Sequence, residues 1–261
     1  MVSAFAARQR LVLGQVKVDE KSNEIVAIPK LLDMLVIEGA IVTIDAMGGA
    51  AQGSGEPKDR WKGCGGCQRD IAQKILDKGG DYVLALKGNQ NSLHDDIKLF
   101  ATEQKARNFY QTRVSQHSST DGDHGRIETR KCTVLHDVKW LQKRHNWPGL
   151  RSVAIIDSTR EIGTNISRET RFYITSCALV AEHLAATIRS HWAIENSLHW
   201  TMDMVFRDDE CCVRTDHAPA NFTTIKHMAY NLIRKASSKD SIRVRRKAAA
   251  WDDTFLASLI G

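Results

Sequence analysis

Two short apolar runs constrain this chain more than anything else in it. Ala40 to Ile44 is rich in β-branched residues and is closed by Asp45, and Tyr82 to Leu86 is an apolar run of the same length. Between them Ile71, Ala72, Ile75 and Leu76 recur at helical spacing and stop at Gly79-Gly80. Strand, helix and strand, with no polar alternation in either strand, is the pattern of a parallel pair buried on both faces. The chain is therefore expected to be α/β. In open α/β sheets, ligands gather beyond the carboxyl ends of the strands. That makes Asp45 a candidate metal ligand or base, against the simpler reading that it caps a turn.

The rest of the chain arranges itself around this unit. Val2 to Ala6 and Leu11 to Val18 read as strands. Ile28-Pro29 opens a helix carrying Leu31, Leu32, Leu35 and Val36, ended by Gly39. A further helix begins at Ser92, with Leu93, Ile97 and Phe100 on one face. From Thr112 to Thr175 alternating segments are separated by Asp121-Gly-Asp-His-Gly125 and Trp147-Pro-Gly149, so this region is mostly β. Helices return from Val180 to Phe206 and from Asn221 to Lys235. Gly48 to Gly66 breaks the rhythm, with seven glycines and almost no apolar periodicity, and reads as a surface loop. The expected divisions are 1–111 (with the loop 48–66), 112–176, 177–236 and 237–261.

The net charge is +6. Lys226 to Trp251 holds eight basic residues against Asp240 alone, so the excess sits in one C-terminal stretch that includes Arg245, Arg246 and Lys247. Such a stretch attracts phosphate backbones, or else keeps a solvated tail soluble. No uncharged apolar run approaches the ~20 residues of a membrane helix. The first fourteen residues lack the charged and apolar regions of a signal peptide, so a cytoplasmic location with reduced cysteines is expected. Cys64-Gly-Gly-Cys67 is a lone CxxC pair and the other four cysteines supply no second one, which leaves a structural zinc site short of ligands.

The densest chemical segment is Arg189-Ser-His-Trp-Ala-Ile-Glu-Asn-Ser-Leu-His-Trp200. His191, Glu195 and His199 stand four apart and share one helical face, with Trp192 and Trp200 beside them. One reading is an amphipathic helix with locally satisfied histidines. Another is a metal-binding Glu195 among groups that hold nucleic acid, and a third is a metal-dependent hydrolase using His191, Glu195 and His199. The zinc-protease pattern needs two histidines four apart with Glu beside the first, which this segment lacks. Lys87-Gly-Asn89-Gln90 places a lysine and two amides after the second apolar strand, suited to phosphate contact or to a simple turn.

Four segments together carry a resemblance: Ile41-Val-Thr-Ile-Asp-Ala-Met-Gly, Cys67-Gln-Arg-Asp-Ile-Ala, Gly80-Asp-Tyr-Val-Leu-Ala-Leu-Lys-Gly-Asn-Gln, and the Arg189–Trp200 segment. In that order they resemble the H-repeat-associated, ISAs-type group of insertion-sequence transposases. The resemblance covers nearly the whole chain, from Val2-Ser-Ala-Phe-Ala to Ala257-Ser-Leu. It implies a ribonuclease H-like core, a mixed sheet flanked by helices, with a β-rich insertion before the glutamate helix. It implies a DDE triad in which Asp45 matches the second aspartate and Glu195 the glutamate, holding two Mg²⁺ (or Mn²⁺) ions for phosphodiester hydrolysis and strand transfer. His191, Trp192, Asn196, His199 and Trp200 match the signature around that glutamate.

The implied partner is DNA, both insertion-element ends and target, with contacts from Lys87, Asn89, Arg126, Arg189 and the basic stretch. A homodimer is also possible, and no membrane partner is implied. Two departures accompany the match. The family's first aspartate lies on a strand upstream of Val2-Ser-Ala-Phe, so the first core strand is missing and the chain is expected to be N-terminally truncated and catalytically impaired. About eighteen extra residues, Gly49 to Gly66, follow the Asp45 segment. A non-catalytic DNA-binding remnant is the expected alternative.

Overall fold

The computed structural model describes residues 1–18, 24–45, 64–86, 91–123 and 125–261. Lys87, Asn89 and most of the glycine-rich loop lie outside these. The chain divides into two compact units, residues 1–35 with 190–261, and residues 36–189. Each is taken by itself.

The second unit is built on a six-stranded mixed sheet. Its strands are β3 (Ile41–Ile44), β4 (Asp81–Leu86), β5 (Val114–Asp123), β6 (Arg126–Leu135), β7 (Ser152–Ile162) and β8 (Asn165–Thr175), in the order β3-β4-β8-β7-β6-β5. β3 and β4 run parallel, with Ile41 opposite Asp81 and Ile44 opposite Leu84. The crossover between them carries α2 (Cys64–Asp77). All other neighbours are antiparallel. The region expected as a β-rich insertion is thus hydrogen-bonded into the same sheet, through the pairing of β8 with β4.

Side chains alternate across the sheet, and each face has its own cover. On one face Val83, Cys132, Val134, Ala154, Ile156 and Tyr173 meet Ala181, Leu184 and Ile188 of α5 (Ala181–His191). Phe172 points the other way, where His94 of α3 (Asn91–Ala106) meets it edge-on at 5.7 Å. His145 at the end of α4 (Lys139–His145) bonds Asp96 at 2.8 Å and so ties α4 to α3. Ile71 and Ile75 of α2 are fully buried, as the helical spacing in the sequence requires. Cys64, Gly65 and Gly66, expected inside the loop, instead form the first turn of α2.

β3 departs from expectation. It has the composition of a strand buried on both faces, yet it stands at an edge of the described sheet and Ile41 is 38% exposed. Composition reports the demand for burial; it does not say whether a neighbour is there to meet it.

The first unit begins with a hairpin, β1 (Val2–Ala6) and β2 (Leu11–Val16), bulged between Ala4 and Phe5. α1 (Glu24–Asp33) starts before the Ile28-Pro29 step expected to open it. The chain re-enters this unit at residue 190. A π-helical stretch, Ile194–His199, leads into α6 (Trp200–Met204), followed by α7 (Ala218–Lys235). Val12, Leu198, Met202 and Tyr230 form the core, with Phe5, Ile194, Phe206 and Ile242 against it. The C-terminal segment expected only as basic folds into α8 (Ile242–Trp251) and α9 (Asp253–Ile260), capped by Ser241 and Asp252. No described helix is long and apolar enough to cross a membrane.

Candidate active site and nucleic-acid interface

In the second unit the candidate centre is Asp45, one residue past β3. Thr43 lies opposite Val83 and Ile44 opposite Leu84, so one more step sets Asp45 level with Ala85. A small depression at the carboxyl ends of these two parallel strands is lined by Ile44, Asp45, Gln68, Ile71, Leu84 and Ala85. Gln68 is buried there, on the first turns of α2. Ala85 in turn pairs with Tyr173. Burial pushes the Tyr173 hydroxyl above its usual pKa, Arg171 bonds it and pulls the other way, and the Asp45 carboxylate adds to the rise. Asp45, Tyr173 and Arg171 therefore sit in one neighbourhood. Tyr173 and Arg171 were not singled out in the sequence; the alternation between Thr112 and Thr175 marked strands but gave no reason to join this one to Asp45.

The cations expected to meet DNA in this unit are already paired within it. Arg189 donates to Asp121 at 2.5 Å, and Arg130 reaches the same carboxylate at 3.1 Å. Arg126 and Arg130 both bond Glu128. Arg189 holds the exposed Asp121 carboxyl below the usual carboxylate range. These ladders join β5, β6 and α5. The pairs on Asp121 are exposed and worth little individually, so Arg189 can exchange that carboxylate for a phosphate at small cost, whereas Glu128 is buried and its pairs with Arg126 and Arg130 are costly to break.

In the first unit the candidate centre is Glu195. The Trp200 amide bonds the Glu195 carbonyl, five residues back, which is the wide π turn. Glu195 and His199 project into solvent, with Oε1 and Nδ1 4.0 Å apart. Asn196 is exposed, and Leu198 from the same stretch is fully buried in the core. Trp192 and Trp200 are 37% and 57% exposed. His191 meets the Trp192 ring edge-on at 6.2 Å. The single face expected for His191, Glu195 and His199 is thus realised as a Glu195–His199 pair, with His191 turned to its aromatic neighbour.

Behind this face, Lys226 of α7 is buried and pairs with Asp208 while lying over Phe222. Of the C-terminal cations, Arg245 donates to the carbonyls of Ile233, Ala236 and Ser238 at the end of α7. Arg246 donates to the Val205 carbonyl and lies over Phe206. These two residues, expected to meet DNA, hold the unit together; Arg243 and Lys247 are exposed on α8. Among the described residues no group of three His, Cys, Asp or Glu side chains gathers as a metal site.

The family model described as the transposase DDE domain matches residues 1–232. "H repeat-associated putative transposase YhhI" of Escherichia coli K12 is 37% identical over 268 residues, covering 100% of this chain and 65% of that protein. "Putative protein YbfL" of the same strain matches at the same identity and coverage. "Putative transposase YncI" of Escherichia coli O157:H7 is 36% identical over 265 residues, covering 100% of this chain and 63% of its own. The chain thus spans less than two thirds of the length of these relatives, and no solved structure matches it. The match over residues 1–232 and the relatives covering the whole chain show that it belongs to the DDE transposase domain family.

Proposed function

We propose that this chain forms the catalytic-core portion of a DDE transposase acting on the DNA of insertion-element ends and of target sites. The observation that carries the reading is the pair of carboxylates at family positions, Asp45 at the carboxyl end of a parallel strand and Glu195 exposed in the π turn. Both are hard oxygen donors, the chemistry that Mg²⁺ or Mn²⁺ selects, so the residues fit a divalent ion. When bound, such ions neutralise the charge of the reacting phosphodiester and activate the attacking oxygen. The carboxylates offered for such ions are Asp45 in the second unit and Glu195 in the first. The charge of Asp45 is felt at Tyr173, and His199 Nδ1 stands 4.0 Å from Glu195 Oε1.

The sheet is read as ribonuclease H-like. The support is its arrangement, a parallel β3–β4 pair joined through α2 and continued by antiparallel strands from β8 to β5.

Titration with Mn²⁺ followed by calorimetry tests the pair. Asp45→Asn and Glu195→Gln should each abolish tight binding; binding that survives both substitutions overturns the assignment. Zn²⁺ held through His199 would favour the hydrolase reading instead. Supercoiled plasmid with Mg²⁺ or Mn²⁺ tests the chemistry. Nicking by the natural chain and not by Glu195→Gln would support it, and nicking equally by both would overturn the role given to Glu195.

A further inference from the structure

One edge of the six-stranded sheet is long and unguarded. β5 closes the strand order, so among the described residues nothing pairs on its far side. Its register with β6 runs unbroken through ten pairs, from Val114 opposite Leu135 to Asp123 opposite Arg126. Natural edge strands are short, bulged, covered or interrupted by lysine or proline, because a free ladder recruits another strand. β5 has ten residues, no bulge, no lysine and no proline. α5 packs on residues of β4, β6, β7 and β8, set back from this edge.

The phase of the ladder identifies the free groups. The His136 amide bonds the Arg113 carbonyl at 3.0 Å, so these two form a hydrogen-bonded pair. Antiparallel ladders alternate, so Ser115, His117, Ser119 and Asp121 also turn their backbone groups toward β6. Val114, Gln116, Ser118, Thr120 and Gly122 turn theirs outward. The side chains of Gln116, Ser118 and Thr120 are exposed as well.

The charges suit a second copy of the same strand. Asp121 and Asp123 stand at one end of β5, and Arg113 stands just before the other. Two copies laid antiparallel bring the acidic end of each to the basic end of its twin. With a two-fold axis at Ser118, Val114 faces Gly122, Gln116 faces Thr120 and Ser118 faces its counterpart. Every outward residue then meets an outward residue. His117 faces Ser119 and Asp121 faces Ser115, so no like charges lie opposite each other. Arg130 and Arg189 already offset the charge of Asp121.

We propose that β5 is an interface between two copies of this chain, joined antiparallel through their edge strands. Two six-stranded sheets become one of twelve, with β3 at either outer edge. The pairing is isologous and uses both β5 edges, so assembly stops at two. It covers backbone and polar side chains rather than a large apolar area, so the dimer is weak and depends on concentration. The inference is independent of the DNA reading.

The test is the mass of the full chain in solution, measured by sedimentation after nuclease treatment. The mass should rise from 29.2 kDa toward twice that value as the concentration approaches about 100 μM. The Ser118 amide faces outward, so Ser118→Pro leaves the β5–β6 ladder whole and removes two bonds of the dimer. Ser118→Lys sets two ammonium groups opposite each other at the axis, and Ser118→Glu sets two carboxylates there. Each of the three should weaken the dimer by about 10-fold or more. An equimolar mixture of the Lys and Glu variants should restore it, because lysine then faces glutamate. Ser118→Ala should leave it unchanged. Circular dichroism and melting temperatures matching those of the natural chain show that the variants fold. A monomer at every concentration, a dimer that survives Ser118→Pro and both charge variants, or a mixture no more dimeric than its components overturns the proposal. Growth beyond two copies, or association only when DNA is present, overturns it too.

Discussion

Asn231 on α7 satisfies both backbone polar groups of Val12 on β2. Its side-chain oxygen accepts the Val12 amide at 2.9 Å, and its nitrogen donates to the Val12 carbonyl at 2.8 Å. One carboxamide thereby serves the open side of a two-stranded hairpin as a third strand would. Val12 is buried, so both groups would lack water if the amide were removed. Asn231→Ala should cost about 2–3 kcal/mol, read as a lower urea midpoint at constant slope. A loss under about 0.5 kcal/mol would mean that water replaces the amide freely.

His227, also on α7, should make the protein sensitive to mild acid. It is buried, and its Nδ1 has no hydrogen-bond partner among the described residues. Burial lowers its pKa, Asp208 opposes the shift and His199 adds to it. Burial lowers that of His136 as well, with Arg113 adding. A folded pKa below the unfolded one means that the unfolded chain takes up protons first. Stability should therefore be complete above the unfolded value of about 6.5 and fall as the pH drops through it. Melting temperatures measured from pH 7.5 to 5 should show this fall, and His227→Gln should flatten it. An unchanged profile in both His227→Gln and His136→Gln would sink the explanation. Loss of the Glu128 and Asp121 pairs belongs to a lower window. Burial pushes the Glu128 carboxyl up, but Arg126 and Arg130 outweigh it and hold it below the usual carboxylate range.

The C-terminal cations should separate into two kinds. Arg245 closes the end of α7 through three carbonyls, so Arg245→Ala should destabilise the chain by about 2 kcal/mol, the range of hydrogen bonds from a charged group. Lys247→Glu should leave the melting temperature within a degree or two and weaken DNA binding mainly at low salt. The opposite pattern, with Arg245→Ala neutral to stability, would place Arg245 at the DNA.

Gly149 has a φ of +60°, and a Cβ there would meet Leu76 Cδ1 at 2.7 Å. Gly149→Ala combines an unfavourable backbone angle with a steric clash and should cost about 1–3 kcal/mol. Because the clash is with the tip of a side chain, Leu76→Ala should recover part of that cost in the double variant. Strict additivity of the two losses would show that the strain is in the backbone alone.

Where burial pattern and geometry coincide, the chain could be read directly. Val2 to Ala6, the strands after Ala40 and Gly80, and the helix bearing Glu195 lie close to where their apolar spacing put them. The π turn was not legible, because it depends on the register of backbone bonds and leaves no compositional mark. Arg245 read as a charged tail because a count of charges cannot distinguish a guanidinium bonded to carbonyls from one in solvent. The two terminal helices did carry a signal, in Ser241 and Asp252 as caps three residues before Val244 and Phe255. Tyr173 comes near Asp45 through the pairing of β8 with β4, which sets Tyr173 opposite Ala85, far away in the chain.

One unit is assembled from residues 1–35 and 190–261, with about 150 residues of the other unit between them. On a ribosome adding ~5–20 residues per second, the hairpin would wait roughly 10–40 seconds for its later partners to be made. During that interval Phe5 and Val12 have none of Leu198, Met202 or Tyr230 to cover them. Residues 36–189 can complete their sheet in the meantime. The hairpin, made before residues 36–189, is thus secured only after them, and it is a stretch on which chaperones and proteases have a long opportunity to act.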